Sequence, residues 1–367
     1  MIIKDFTLIK SIGKGKFGEV FLSSKKGTNK MYAVKKISKS IVNKQEVKKY
    51  FDNTISVVKK KNHSNIIKLF EILESLNNFY LVYELCNGGD LSNCLKKYKE
   101  RFNKPFNQEI IQYIMKQIIF GLQYLHNNNI LHKDLKLDNI LIKFENEEDK
   151  NNLNILKGHI KIIDIDFESF LKNETNYNLE IPFNMAPEFF QNKKNYNKND
   201  NKADIWCLGI ICYQMLTGDF PFNCSTFKEL IEKTNKGDYQ IPNNLTLSKE
   251  VINFINVMLQ FNPENRLSID NLLNHDFLTK KINDFTYIDF QKIKNKSNIN
   301  LNIYDITKNM FEESNTLSQN NYNNNDNNND IKISIKTIYN DNSYYINSPK
   351  LKNLDNNCTQ QNEEEID

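Results

Sequence analysis

The chain has 367 residues, 39% of them hydrophobic and 26% charged, with a formal net charge of +4 at pH 7. That length holds one large domain or two modest ones, with ample apolar material for a core. The positive excess is mild and spread out, which argues against nucleic acid as a partner, and Lys-rich runs such as "KKYFDNTISVVKKKNH" read as solvated helix faces.

Six cysteines (Cys86, Cys94, Cys207, Cys212, Cys224 and Cys358) include no CxxC pair, so reduced thiols in a reducing compartment are expected. No apolar run approaches the roughly eighteen residues that a bilayer crossing needs. "MIIKDFTLIK" carries Lys4 and Asp5 with no cleavage region, unlike a signal peptide. The expectation is a soluble, cytoplasmic protein with no membrane partner, the nucleus remaining open.

In chain order, "FTLIKSIGKGKFGEVFLSSKKGTNKMYAVKKIS" alternates apolar and polar residues between Gly and Asn turns and predicts a β-meander. "KQEVKKYFDNTISVVKK" places Val47, Tyr50, Phe51, Ile55 and Val58 at helical spacing. "IIKLFEIL" and "FYLVYEL" predict two more strands. From Asp90 onward helices dominate, "EIIQYIMKQIIFGLQYLHNN" and "KADIWCLGIICYQMLTG" being the longest. The expected fold class is α+β and bilobal: a small β-rich lobe with one helix, about 6–86, and a larger helical lobe, about 90–278. "ENEEDKNNLNILKG" interrupts an apparent hairpin and predicts a surface loop. Beyond 278 the chain turns polar. Residues 279–367, with the Asn tract "SQNNYNNNDNNND", are expected to be largely disordered because they bury too little surface to fold alone. "IKISIKTIY" (331–339) keeps strand alternation without an evident docking place.

The chemistry-bearing residues also follow in order. "GKGKFGEV" puts Gly13, Gly15 and Gly18 between two strand patterns, where backbone N–H groups can approach a phosphate chain. The following strand, rather than a helix, counts against a dinucleotide fold. "YAVKK" offers Lys35 on a strand. "HKDLKLDNIL" supplies Asp134, Lys136 and Asn139, "HIKIID" runs an apolar strand into Asp164, and "APE" spans Ala186–Glu188.

Together these motifs resemble the catalytic domain of eukaryotic protein kinases, over about residues 6–278. The resemblance implies ATP and Mg²⁺ as cofactors, with Mn²⁺ as a substitute, and a protein as substrate or partner. It implies that Asp134 accepts the substrate proton, that Lys35 holds the α/β-phosphates and that Lys136 steadies the γ-phosphate. Lys136 points to the Ser/Thr class. Asn139 and Asp164 would hold metal. Ile12, Gly13, Gly15, Gly18, Val20, Ala33, Lys35, Glu84, Cys86, Asp90 and Leu141 would line the nucleotide site, with Tyr83 as gatekeeper. Asp90 would touch the ribose, Asp204 would brace the catalytic loop, and Glu188 would pair with Arg266.

Four positions depart from the family pattern. Thr54 stands where a helix Glu normally pairs with the strand Lys. Asp52 lies about 200° round the helix and Glu46 more than two turns away, so neither replaces it. The loss weakens positioning by ~1–3 kcal/mol. Asp166 occupies the position of the glycine in the DFG triplet when "DID" is aligned without a gap. The shifted register, Asp166-Phe167-Glu168, also lacks glycine. Ile165 fills the apolar slot of the Phe. Lys133 replaces an Arg, keeping the charge without the bidentate fork, and Ile181 replaces a Thr. Thr175 and Tyr177 are hydroxyls too ordinary for such a segment to carry weight. The expected function is a weak or unusually regulated Ser/Thr kinase, the alternative being a pseudokinase that binds nucleotide and presents an interaction surface.

Overall fold

A computed structural model describes residues 1–15, 18–40, 63–165, 182–191, 201–237, 239, 241–242 and 245–289. The chain divides into two compact units, 1–317 and 318–367, and all described residues belong to the first. The expected helix around Val47–Val58, the Asn tract and "IKISIKTIY" lie outside the described residues.

Alternation in the first part of the chain produces strands β1 (Ile2–Ile3), β2 (Phe6–Gly15), β3 (Gly18–Lys25), β4 (Met31–Ser38), β5 (Leu69–Glu74) and β6 (Asn78–Glu84). They form an antiparallel sheet in the order β1-β2-β3-β4-β6-β5. One face buries Phe6, Leu8, Val34, Leu73, Tyr80 and Val82. Because side chains alternate, the other face carries Val20, Ala33, Lys35 and Tyr83.

After Leu85–Asp90 the chain becomes helical. Helix α1 (Leu91–Phe102) starts at Asp90, whose carboxylate accepts the Asn93 N–H, and stops at Asn103, in the left-handed region at φ 53°. Capping of this kind is worth about 1 kcal/mol. Helix α2 (Gln108–Asn127) is capped by Asn107, and buries Ile111, Ile114, Met115, Ile118, Leu122 and Leu125 at three- and four-residue spacing. Strands β7 (Ile140–Lys143) and β8 (His159–Ile162) form a two-stranded ribbon. The expected loop between them folds further, into helix α3 (Glu147–Asn151), capped by Asn146 and anchored by buried Ile155. Arg101 donates to the Asn151 carbonyl at 2.8 Å, tying the insertion to α1.

Helix α4 (Glu188–Gln191) precedes α5 (Lys202–Thr217), which is buried on nearly every side and forms the axis of the helical lobe. A helix apolar all round belongs in a core. Helices α6 (Phe227–Lys236), α7 (Lys249–Met258), α8 (Ile269–Leu273) and α9 (Asp276–Thr279) complete the lobe. The sheet meets this lobe at a second place besides 85–90. Ile66 bridges Ile162, and the Asn65 amide donates to Gln117 and to the Ile160 carbonyl, both at 3.1 Å.

The fold continues past residue 278. Strand β10 (Tyr287–Asp289) pairs antiparallel with β9 (Thr246–Ser248), and Phe285 is buried against Phe277. Residues 279–289 therefore belong to the ordered lobe, not to the tail in which their polar neighbours had placed them. One aromatic anchor and a three-residue strand pairing with β9 hold the segment there.

Candidate active site

Strands β2 and β3 pair as far as Gly15 opposite Gly18, and the register slips at Ile12, which bulges out and is 45% exposed. The three glycines differ. A Cβ on Gly18 would lie 2.0 Å from the Lys36 carbonyl oxygen, so close approach to β4 requires glycine there. Among the described residues a Cβ on Gly13 would meet nothing within 4 Å, and one on Gly15 only the Gly18 carbonyl at 4.0 Å. Packing does not demand glycine at those two positions. The open space above them fits a phosphate chain drawn close to backbone amides.

Lys35 lies on β4 opposite Val20 and next to Leu81 of β6. It is 8% exposed, and its Nζ donates to Asp164 Oδ1 at 2.6 Å. Asp164 follows β8 with φ at 55°, in the left-handed region. That backbone turns its carboxylate back toward the sheet, and Asp tolerates the conformation better than most residues.

Between α2 and β7, Asp134, Lys136 and Asn139 converge. Lys136 Nζ contacts both Asp134 carboxylate oxygens at 2.9 and 2.8 Å. The Asn139 amide nitrogen donates to the Asp134 carbonyl at 2.7 Å and to its Oδ2 at 2.8 Å, leaving Asn139 Oδ1 facing away from that pair. The loop is held from behind by Asp204 of α5. His132 N–H donates to Asp204 Oδ2 at 2.9 Å and Lys133 N–H to Oδ1 at 3.0 Å. Burial works against a charged Asp204, but hydrogen bonds from His126 and His132 offset it and keep the carboxyl below its ordinary pKa. The His132 ring also meets the Ile163 carbonyl at 2.9 Å, joining the loop to the residue before Asp164. His126 and His132 escape a reading of the sequence, since the acid they meet lies more than seventy residues on.

At 85–90, Cys86 and Asp90 take different parts. Among the described residues the Cys86 amide N–H donates to no backbone partner, and such a half-buried donor invites a ligand. The thiol is inert, pushed up to about 12 by burial and then by Glu84. Asp90 spends both carboxylate oxygens on Asn93, capping α1. That gives it a structural task at the start of α1, beside whatever contact it makes with a ribose. Val20, Ala33 and Leu141 are half-buried, and strand register puts Val20 and Ala33 on the same face of the sheet as Lys35. Burial, and then the charge of Asp164, push the Tyr83 phenol well above its ordinary pKa, placing it on the same side as that carboxylate.

The glycine hairpin, the strand lysine and the Asp-Lys-Asn loop occur in the same order in a known family, whose profile, protein kinase domain, matches residues 6–278. The chain belongs to the protein kinase domain family. It is 33% identical over 274 residues to calcium-dependent protein kinase 4 of Plasmodium berghei (strain Anka), covering 74% of this chain and 48% of that protein. It is 34% identical over 275 residues to calcium-dependent protein kinase 5 of Plasmodium falciparum (isolate 3D7), covering 73% and 44%. With serine/threonine-protein kinase PLK4 of Xenopus tropicalis it shares 31% over 279 residues, covering 75% and 27%. The chain thus spans about half or less of the length of these relatives.

Protein kinases use ATP and Mg²⁺. The donor set fits a hard cation: Asn139 Oδ1 and the Asp164 carboxylate are oxygen donors on adjoining segments, linked by the Ile163 N–H, which donates to the Asn139 carbonyl. Among the described residues no group of three or more His, Cys, Asp or Glu is placed to hold a metal, so phosphate and water would have to complete the coordination. The family's distant ion pair is also present. Arg266, fully buried, forks onto Glu188 with two contacts of 2.7 Å. Thr54, Asp166, Thr175, Tyr177 and Ile181 lie outside the described residues. Among the described residues no helix is long and apolar enough to cross a membrane.

Proposed function

We propose that this chain is a Ser/Thr protein kinase, transferring the γ-phosphate of ATP to a hydroxyl of a protein substrate. One observation carries the reading: Asp134, bonded to Lys136 and Asn139, is tied through the Ile163 N–H on the Asn139 carbonyl to the segment whose next residue, Asp164, pairs with Lys35. Asp134 is the proton acceptor for the substrate hydroxyl. Lys136 lies beside that carboxylate, where charge develops on the transferring group, and Lys35 holds the α/β-phosphates. Asn139 and Asp164 would hold the cation, which would supply charge neutralisation for the phosphates. Most of the catalytic effect in such chemistry comes from positioning and charge stabilisation, both of which these residues supply.

A nucleotide-binding pseudokinase is the second reading, and a specific observation favours it. Lys35 is paired with Asp164, the acid that would hold the cation, while position 54 carries threonine. Phosphate transfer to a Ser/Thr peptide mixture, with Mg²⁺ and with Mn²⁺, decides between the two. Replacing Asp134 with Asn should lower the rate about 10²–10⁴-fold, as expected for loss of a general base. Equal signals from the two proteins would end the enzyme reading.

A further inference from the structure

Glu84 ends β6, and its backbone continues into the hinge that carries the open Cys86 N–H. Its side chain turns the other way. One carboxylate oxygen accepts from Lys161 Nζ at 2.9 Å and from the Lys68 N–H at 3.0 Å, and the other from Lys143 Nζ at 3.1 Å. The Glu84 N–H in turn donates to the Lys68 carbonyl at 3.0 Å, so Glu84 and Lys68 hold one another twice. The Glu84 side chain is 9% exposed and that of Lys161 13%. A carboxylate this well buried and shared by two ammonium groups has little freedom to move.

The lysines matter for where they come from. Lys143 is two residues after Leu141 on β7, and Lys161 stands opposite Leu141 on β8. Strand alternation puts all three on one face of the ribbon. Leu141 is half-buried, and in the kinase reading it is the floor of the slot that takes the base. Glu84 therefore ties the hinge to the same two strands that carry the floor. Two further links run parallel to it. Gly88 N–H donates to the Ile142 carbonyl at 3.0 Å, and Asn87 exchanges hydrogen bonds with the Phe144 backbone at 2.8 and 3.1 Å.

We propose that Glu84, Lys161 and Lys143 form a positioning triad that sets the distance and tilt of the hinge edge over Leu141 and thereby selects the base of the bound nucleotide. This rests on the kinase reading of the site. The Cys86 N–H is a donor, so it matches a base edge that presents a ring-nitrogen acceptor. Adenine presents one at N1, and guanine has an N–H there. Discrimination by one such bond requires the donor to stay in place, because a hinge free to shift can accommodate either edge. The triad acts through the hinge backbone and touches no reacting atom.

The test compares ADP, GDP and tripolyphosphate by calorimetry on the full chain. The variants are Glu84→Gln, Lys161→Met and Lys143→Met, with Lys161→Arg as the conservative control. In the first two, ADP affinity should fall about ten-fold, GDP and tripolyphosphate should stay within about two-fold, and Arg at 161 should restore the preference. Lys143→Met should show the same trend more weakly. Its side chain is 36% exposed, so this variant folds even if the buried ones do not. An unchanged ADP-to-GDP ratio in a folded Lys143→Met or Lys161→Met protein overturns the triad's role. Equal losses for all three ligands overturn it too, since they mean a general loosening. No adenine binding by the wild type would overturn the kinase reading, and the triad's role with it.

Discussion

Lys35 and Asp164, 129 residues apart in sequence, meet at 2.6 Å on the inner side of the sheet. The pair joins β4 of the small lobe to the residue that follows β8 of the large one. It sets together a cation and a carboxylate that phosphate and metal would each engage, so a nucleotide entering with its cation competes with that contact. Binding is then expected to depend on metal and nucleotide together. ATP or ADP with Mg²⁺ should raise the melting temperature by mass action, and nucleotide without metal should raise it less. Lys35→Met should reduce the shift only in part. No shift at millimolar nucleotide would count against both readings of function.

If the enzyme is slowed by missing supports, restoring them should speed it. Thr54→Glu returns a carboxylate to the helix position facing the strand lysine in the family pattern, and Asp166→Gly returns the triplet glycine. Together they should raise kcat about ten-fold or more, ~1 kcal/mol each in transition-state positioning. Both act on the same nucleotide and metal, so their effects should not simply add. Tighter ATP binding with no turnover would favour the pseudokinase.

Phe285 tests where the folded chain ends. Truncation after residue 290 should keep the cooperative melting of the full chain, whereas truncation after 278 removes β10 and the Phe285 contact with Phe277. The shorter protein should melt several degrees lower. Phe285→Ala alone should cost about 3 kcal/mol, the usual range for a buried Phe. Equal stability of the two truncations would show that the extension only rests on the surface.

The fork between Arg266 and Glu188 should be intolerant of change. Arg266 is 2% exposed and also donates to the carbonyls of Gln260, Lys202 and Phe261. Removing either charge strands the other and should cost about 3–5 kcal/mol in urea unfolding. Arg266→Lys should rescue little, because an ammonium cannot reproduce the two-pronged contact.

His275 gives the large lobe an acid limit. Its Nδ1 accepts the Phe277 N–H at 3.1 Å, capping α9, and Nε2 bonds Asn253 at 2.7 Å. Burial, partly countered by Asp276, lowers its pKa from 6.5 to about 4. The folded state therefore binds fewer protons than the unfolded state between these values. The associated stability is complete above pH 6.5 and is lost as pH falls toward 4. It amounts to about 3 kcal/mol at most. His275→Asn keeps a capping side chain without the titration and should flatten the stability profile across that window. An unchanged slope would exclude His275 as its source.

Alternation from Phe6 to Ser38, the apolar spacing of α2 and the nearly continuous apolar run of α5 were sufficient to predict a β-rich lobe followed by a helical one, because the local pattern reflects how much of each element is buried. The motifs around Gly13, Lys35, Asp134 and Glu188 were legible for a similar reason: each is a short run whose residue types have few other uses together. What the chain order could not convey is partnership across distance. Glu84 looks like a hinge residue until β7 and β8 bring Lys143 and Lys161 to its buried side chain. Phe285 sits among polar residues that read as tail, and only the pairing of β10 with β9 and the ring of Phe277 make its burial favourable. In each case the deciding energy comes from desolvating a particular group against a particular partner, and that pairing exists only after the chain has folded.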